Sequence, residues 1–429
     1  MHDFVHLHVH SQYSILDGQA AITRLVNKAI ADNMKGIALT DHGNMMGVKE
    51  FFNYVNKVNK EREKKGEEKF KPIIGCEVYV AERRLFNKEL KEDMRGHHLI
   101  LLAKNKQGYH NLVKIVSKAW SEGYYYNPRT DKAEIEKYHE GIICCSACLG
   151  GEVPQLIKSG NIEKAEEVVM WFKQLFGDDY YLELQLHKAT VEYANHDTHK
   201  IQEIVNEKLI EFSRELGIKL VCTNDVHFVE EKDAEAHDRL ICLGTSKDLD
   251  DPRRMLYSKQ EWMKTTAEMN AIFEDVPDAL DNTVEVCNKI EGFNIDHSPI
   301  MPTFAIPEEF GTEESYRAKY SEKDIFDEFT QDENGNVVMS ESEAKKKIEK
   351  LGGYDKLYRI KLEADYLAKL AMDGAHKRYG EVLDEETTTR LKFELHIMKT
   401  MGFPGYFLIV QDFIRAAREE LDVSVGPGR

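Results

Sequence analysis

The sequence sets metal-ligating side chains at a series of segment ends, beginning with His8 and His10. In an extended segment, residues two apart project from one face, so both imidazoles can reach a single ion. His6 shares that face, and the pattern does not say which two of the three bind. Asp17 follows in the loop before the first helix, and Thr40-Asp41-His42-Gly43 carries His42 to the end of the next strand. Glu77 lies within a third strand, His98 opens a fourth, Cys148 follows a fifth, and Asp225 and His227 form a D-x-H pattern after the last. Taken singly, each has an ordinary use: Asp17 can cap a helix, Cys148 can be a buried thiol, and Asp225 can sit in a turn. Together they point to a metal cluster. Nine donors exceed the four that one tetrahedral zinc takes, and suit two or three divalent ions bridged by Glu77 or Asp225. Such ions clamp a phosphoryl group, draw hydroxide from water and steady the leaving oxygen, so no side chain is singled out as the catalytic group. Imidazole and carboxylate suit Zn2+, Mn2+ or Fe2+, and one thiol tilts the choice towards Zn2+.

The elements that must position these donors are read from periodicity. Phe4–His10 alternates as a strand, with Val5, Leu7 and Val9 on one face and the three histidines on the other. Helical spacing covers Ala21–Ala31, Val48–Lys60, Tyr109–Trp120, Ile162–Leu175 and Thr198–Leu216. Between them lie apolar strands at Gly36–Thr40, Pro72–Val80, His98–Ala103, Gly141–Cys145, Tyr180–His187 and Ile218–Thr223. About seven strands, mostly separated by helices, predict an α/β fold with a mainly parallel sheet, closed as a barrel or doubly wound. Chemistry in such barrels collects at the C-terminal rim of the strands, which Glu77 and His98 fit less cleanly than the rest.

Beyond about residue 280 the texture changes, giving domains at 1–280 and 281–429. The acidic stretch 305–380 reads as a surface insertion, with a turn at Asn334-Gly335 and a polar helix at Glu341–Lys350. Leu391, Leu395, Met398 and Met401 share a helix face that Gly402 can cap, and Pro404 suits the start of another helix, Phe407–Glu419.

Composition narrows the class. A chain of 429 residues predicts two or three domains. Its net charge of −18 excludes a protein that coats nucleic acid over its whole surface. No apolar run approaches the ~18 residues of a membrane span, and MHDFVHLHVH lacks the pattern of a signal peptide. Seven cysteines are too few and odd in number for a disulfide framework, so the expectation is a cytoplasmic protein with reduced thiols and no membrane partner. Gly123–Thr130 (GYYYNPRT) reads either as a packed aromatic loop or as a surface that stacks bases and pairs phosphate through Arg129. His187 reads either as a satisfied edge histidine or as a tenth contact of the site, and His237 has no identifiable partner.

The ligands, in this order, resemble the PHP (polymerase and histidinol phosphatase) superfamily of metal-dependent phosphoesterases, whose motifs correspond to His8-Val9-His10, Thr40-Asp41-His42-Gly43, Glu77 with His98, and Asp225-Val226-His227. The blocks FVHLHVHSQYSILDG (Phe4–Gly18), GCEVY (Gly75–Tyr79), CLGGEVP (Cys148–Pro154), TNDVHF (Thr223–Phe228), MGFPGYFLI (Met401–Ile409) and VGPGR (Val425–Arg429) narrow the resemblance to bacterial replicative DNA polymerases of the C family, the DNA polymerase III alpha subunits. That resemblance implies a distorted seven-stranded PHP barrel, then the mostly helical α/β beginning of a polymerase palm. It implies a cluster of two or three Zn2+ or Mn2+ ions on His8, His10, Asp17, His42, Glu77, His98, Cys148, Asp225 and His227, and phosphate binding by Arg429. The implied activity is 3′–5′ exonuclease proofreading on DNA primer–template ends, with other subunits of the replicative polymerase as partners. The palm aspartates that hold Mg2+ do not appear, so the fragment is expected not to polymerise. Two alternatives stand beside this: a catalytically silent docking scaffold, and a stand-alone small-molecule phosphatase.

Overall fold

The computed structural model describes residues 1–297, 300 and 302–426. Arg429, expected to hold phosphate, and most of the Gly-Pro-Gly-Arg turn lie outside the described residues. The chain divides into two compact units, Met1–Asp296 and His297–Arg429. The border expected at residue 280 falls inside the helix Pro277–Lys289, which packs on the first unit's sheet and belongs wholly to it.

Among the described residues the first unit has eight strands: β1 (Gly36–Leu39), β2 (Lys71–Ala81), β3 (Gly96–Ala103), β4 (Tyr124–Tyr125), β5 (Asn127–Thr130), β6 (Ile142–Cys145), β7 (Tyr180–Leu184) and β8 (Lys219–Cys222). The early half of β2 pairs with β1 and its later half with β5; from its other edge the order runs β3, β6, β7, β8. The segment Phe4–His10 closes the ring. It hydrogen-bonds β1 on one side, with Ala38 N–H to His6 O at 2.9 Å and Thr40 N–H to Val9 O at 2.8 Å. On the other side it meets the extension of β8, with Val226 N–H to His8 O at 3.1 Å and His10 N–H to Val226 O at 2.7 Å. Seven segments thus surround an inner cluster of Val5, Leu7, Ala38, Ile73, Ile100, Leu102, Ile143, Tyr181 and Val221. Helix Pro277–Lys289 adds Val284, Val286 and Cys287 to that cluster beside the N-terminal ends of β1 and β2. An outer apolar layer lies beneath the surrounding helices, including Ile22–Ala31, Val48–Lys64, Lys106–Ser121, Ile162–Phe176 and Asp197–Leu216.

Two sequence expectations change here. The sheet is mixed: β3 runs antiparallel to both β2 and β6. The link between β2 and β3 holds only a short 3-10 turn at Glu92–Met94, too little for the helical crossover that a parallel return requires. Phe4–His10 is also not a regular strand. A bend at His8 interrupts its alternation, so Phe4 and Val9 join the outer layer and Val5 and Leu7 the inner one. His6 accordingly leaves with Phe4, its ring edge-on to that phenyl group and Nε2 2.8 Å from Lys264 O, away from His8 and His10.

The second unit is helical: Glu313–Lys319, Glu322–Thr330, Glu341–Lys350, Gly353–Tyr379, Glu385–Thr400 and Pro404–Glu419. The acidic stretch is not a surface insertion, because it supplies the unit's core: Tyr316, Ile325, Phe329, Ile348, Leu357, Tyr358 and Leu362 pack together. Many of its charges lie on exposed faces or in capping boxes such as Ser321/Asp324 and Ser340/Glu343, while Lys361 and Glu363 are buried in ion pairs with Glu328, Asp365 and Arg359. Gly402, at φ +82°, ends the Glu385–Thr400 helix, and Phe403 N–H returns to Met398 O at 3.0 Å.

Candidate metal centre

The antiparallel course of β3 explains how His98 reaches the site. Its first residues lie beside the last residues of β2, with His98 opposite Tyr79, so the beginning of β3 shares the rim where the parallel strands end. His42 follows β1 and bridges to Glu77, Cys148 follows β6, and Asp225 and His227 follow β8. Asp225 holds a left-handed backbone at φ +46°, uncommon for a residue with a side chain. Asp41 stays out of the donor set: its carboxylate accepts from Ser11 N–H at 2.6 Å and Ser14 Oγ at 2.8 Å, fixing the loop beyond His10.

The structure brings all nine sequence-identified donors together, and Glu77 is the hub. Its Oε1 lies 2.8 Å from His98 Nδ1, 3.3 Å from His8 Nε2 and 3.8 Å from Cys148 Sγ. Its Oε2 meets His42 Nδ1 and lies 3.9 Å from His10 Nε2. Asp225 Oδ1 stands 3.1 Å from His8 Nε2 and 3.2 Å from His10 Nε2. Asp17 completes the set, with Oδ2 3.1 Å from His42 Nε2 and Oδ1 3.7 Å from His227 Nε2. Three overlapping groups could each hold an ion: His10 with His42 and His227, His8 with His10 and Glu77, and Glu77 with His98 and Cys148.

The outward nitrogens show how the rings are aimed. His8 Nδ1 lies 2.6 Å from Glu183 Oε1, His10 Nδ1 3.0 Å from Ser14 Oγ, and His227 Nδ1 2.7 Å from Asp225 O. Each partner accepts from Nδ1–H, and Ser14 is free to do so because its own hydroxyl donates to Asp41. This assigns the Nε2 lone pairs of all three rings to the centre. His8 Nε2 and His10 Nε2 then face each other at 3.1 Å, while Asp225 Oδ1 and His227 Nε2 are buried without a hydrogen-bond partner among the described residues. Converging lone pairs and orphaned buried polar atoms are what a cation would satisfy, so the donor set fits divalent metal.

Charge coupling describes the centre without a cation, where His8 keeps a second proton that a bound metal would displace. Burial, then His42 and His227, push His10 down to about 3, which keeps it neutral. Burial would lower His8 too, but Asp225 and Glu183 more than offset it and hold that ring well above its ordinary value. Burial opposes ionisation of Glu77, yet His98 and His42 hold its carboxyl well below the usual range. Burial, then Asp225 and Glu77, keep the Cys148 thiol protonated well above its ordinary value, a condition that a bound cation reverses.

Sequence reasoning missed several residues. Glu183 was detectable only as an acid within the buried run Tyr180–Leu184, and Tyr257, which donates to Asp17 Oδ1 at 2.9 Å, gave no signal. His237 does have a neighbour: Nε2 lies 3.7 Å from Asp17 Oδ1. His187 lines the cleft but bonds Asn224 O at 3.2 Å. Arg129 is not available to phosphate; it is fully buried, with its guanidinium spent on the carbonyls of Leu85, Asn87, Asp93 and Gly123. The centre opens into a cleft of about 540 Å³ bordered by Asp17, His42, Tyr79, Asn127, His187 and Tyr257.

Comparison with known proteins adds ancestry. Residues 6–187 match the PHP domain, and residues 365–429 match the bacterial DNA polymerase III alpha NTPase domain. The DNA polymerase III subunit alpha of Borreliella burgdorferi is 41% identical over 431 residues, covering 99% of this chain and 31% of the relative. That of Treponema pallidum is 36% identical over 429 residues, covering 99% and 30%. This chain therefore spans about a third of the length of the relatives it matches. Among solved structures, a histidinol phosphate phosphatase from Lactococcus lactis, complexed with zinc, L-histidinol and phosphate, aligns at TM-score 0.26 and 13% identity, covering 62% of this chain and all of that one. A likeness that slight carries no argument about this chain.

Proposed function

Because the chain belongs to the family of bacterial DNA polymerase III alpha subunits and carries a PHP domain, we propose that its cleft hydrolyses phosphodiesters at DNA 3′ ends as the proofreading exonuclease of a cytoplasmic replicative polymerase. The barrel unit is the phosphoesterase, and the helical unit is the beginning of the polymerase palm. Nucleotide transfer, with its Mg2+ ions, primer–template DNA and partner subunits, is assigned to the longer protein. One observation carries the reading: the two oxygens of Glu77 face different donor groups, as a bridging carboxylate does, at the open end of a barrel.

His8, His10, His42, Glu77, His98, Cys148, Asp225, His227 and Asp17 would hold two or three ions, with Cys148 favouring Zn2+ over Mn2+ at its position. Divalent ions there would balance charge on the phosphate oxygens and supply the nucleophile from water. The chain does the positioning. Glu183, Ser14 and the Asp225 carbonyl fix three imidazoles by their outward nitrogens. Tyr257 and His42 hold Asp17 at the mouth, where Asp17 faces an incoming phosphate. The buried walls keep the donors dry except on the cleft side.

The test combines metal content with hydrolysis. Protein purified without chelator and reloaded with Zn2+ or Mn2+ should hold two or more ions by elemental analysis. It should shorten a 3′-ended single strand, and chelation should stop this. Asp225→Asn, nearly isosteric but neutral, should remove most of the activity. Inertness of loaded, folded protein on DNA and on bis(p-nitrophenyl) phosphate would replace the reading with a docking scaffold; activity on the ester alone would indicate a small-molecule phosphatase.

A further inference from the structure

The tyrosine-rich loop is not absorbed by the metal centre, yet it stands beside it. β4 and β5 form a small hairpin, Tyr124 opposite Pro128 and Tyr125 opposite Asn127. Tyr126 at its tip holds a left-handed backbone at φ +62°, an uncommon conformation for an aromatic residue, and is 62% exposed. Tyr124 is 50% exposed and stacks on Trp120, with ring centroids 5.6 Å apart and planes 22° from parallel. Trp120, itself 44% exposed, donates its indole N–H to Gly43 O at 2.8 Å, next to the ligand His42. Pro128 packs against Gly43, and Asn127 borders the metal cleft. The hairpin is therefore continuous with the mouth of the site.

Its chemistry is selective. The loop's one cation, Arg129, is turned inward onto four backbone carbonyls, so the loop offers solvent no charge for a phosphate. What it offers is ring faces and phenolic hydroxyls, on a chain whose net charge of −18 repels phosphate in general. Flat apolar faces at the entrance to a phosphodiester cleft suit bases that have left a duplex, because a base inside a duplex is stacked on both faces.

We propose that Trp120, Tyr124 and Tyr126 form a stacking shelf for unpaired nucleobases, which selects single-stranded ends for the cleft. The inference rests on the phosphoesterase reading for the chemistry beyond the shelf, but base binding can be measured without hydrolysis. Trp120 serves as the reporter, since it is the most exposed of the chain's three tryptophans.

Metal-free protein is titrated at low salt with dT12 and with a 12-mer of abasic residues, which keeps the phosphates and removes the bases. Quenching of Trp120 and tighter binding of dT12, by about 5- to 150-fold per stacked base, are expected. Tyr124→Ala with Tyr126→Ala should cut the preference to what Trp120 alone can hold, and the two Tyr→Phe changes should keep it in full; circular dichroism checks that each variant is folded. Equal affinity for the two oligomers, binding of neither, or a preference undiminished by both alanines in folded protein would overturn the shelf. If the alanine variant does not fold, the comparison of dT12 with the abasic strand on unaltered protein still decides. Hydrolysis of bis(p-nitrophenyl) phosphate by the loaded, unaltered protein reports the phosphoesterase reading separately, whatever the titration gives.

Discussion

Replacing Glu183 with Gln should weaken metal binding without weakening the fold. Glu183 does not line the cleft: it is buried inside the barrel, 175 residues from the histidine it serves. Its Oε1 accepts from His8 Nδ1 at 2.6 Å, Thr223 Oγ1 at 2.5 Å and Gln185 Nε2 at 3.0 Å, while Oε2 has no hydrogen-bond partner among the described residues. Gln keeps an oxygen at the first position and places its amide at the second, so shape is retained and the charge is lost. A hydrogen bond to a charged group contributes about 1.5–3 kcal/mol and a neutral one about 1, so the His8 contact should weaken by about 0.5–2 kcal/mol. That corresponds to roughly 2- to 30-fold in dissociation constant, overlapping the losses usual for groups that orient metal-bound histidines. The same change removes a buried carboxylate whose second oxygen has no partner among the described residues, and His8 can shed its extra proton once the opposing charge is gone, so the metal-free protein should melt little lower than the unaltered one. Competition of Zn2+ against a chromophoric chelator, with melting of the stripped protein in parallel, measures both quantities. An affinity within two-fold of the original in a folded variant would refute the view that Glu183 aims His8 at an ion, and a large drop in metal-free melting would make Glu183 a structural residue only.

Gly43→Ala should destabilise the barrel by about 1–2 kcal/mol, because Gly43 holds φ +59° and a Cβ there would stand 2.7 Å from Pro128 Cγ. It should also lower metal content through the displaced His42, as read by chemical denaturation and elemental analysis; an unchanged denaturation midpoint would show that the turn is not strained by a side chain. His6 gives a pH signature. Burial pushes it down to about 4 from an ordinary 6.5, so the unfolded chain binds the extra proton between those values. Stability should accordingly fall as pH drops from about 6.5 to 4, by at most about 1.4 kcal/mol per pH unit from this group, and be unaffected by His6 above that window. His6→Asn should flatten that slope relative to the unaltered protein in metal-free urea titrations, and parallel slopes would show that His6 is protonated within the fold.

What the sequence determined by itself was the donor set and its order. Imidazole, carboxylate and thiol side chains announce their chemistry by type, and strand periodicity with intervening helices put most of them at segment ends. Metal ligation leaves that trace because ions demand particular atoms. The tertiary structure decided everything that depends on contacts between distant segments. Whether His6 or His8 joins the site turns on a bend that alternation cannot show, and on a carbonyl at Lys264 that accepts from one ring and not the other. His98 reaches the rim because β3 runs backwards, after a connection that forms only a 3-10 turn and no helix to cross the sheet. Arg129 read equally as part of a packed loop or as a phosphate contact until four carbonyls from two connections closed around it. The acidic stretch looked like surface because charge dominates its composition, yet a few apolar residues spaced for one face, such as Ile325, Phe329, Leu357 and Leu362, suffice to build a core. Tyr257 meets Asp17 across 240 residues of chain, and Glu183 meets His8 across 175. Such pairings exist only once the ring of strands has closed, because closure is what brings residues with no local relation within hydrogen-bonding distance.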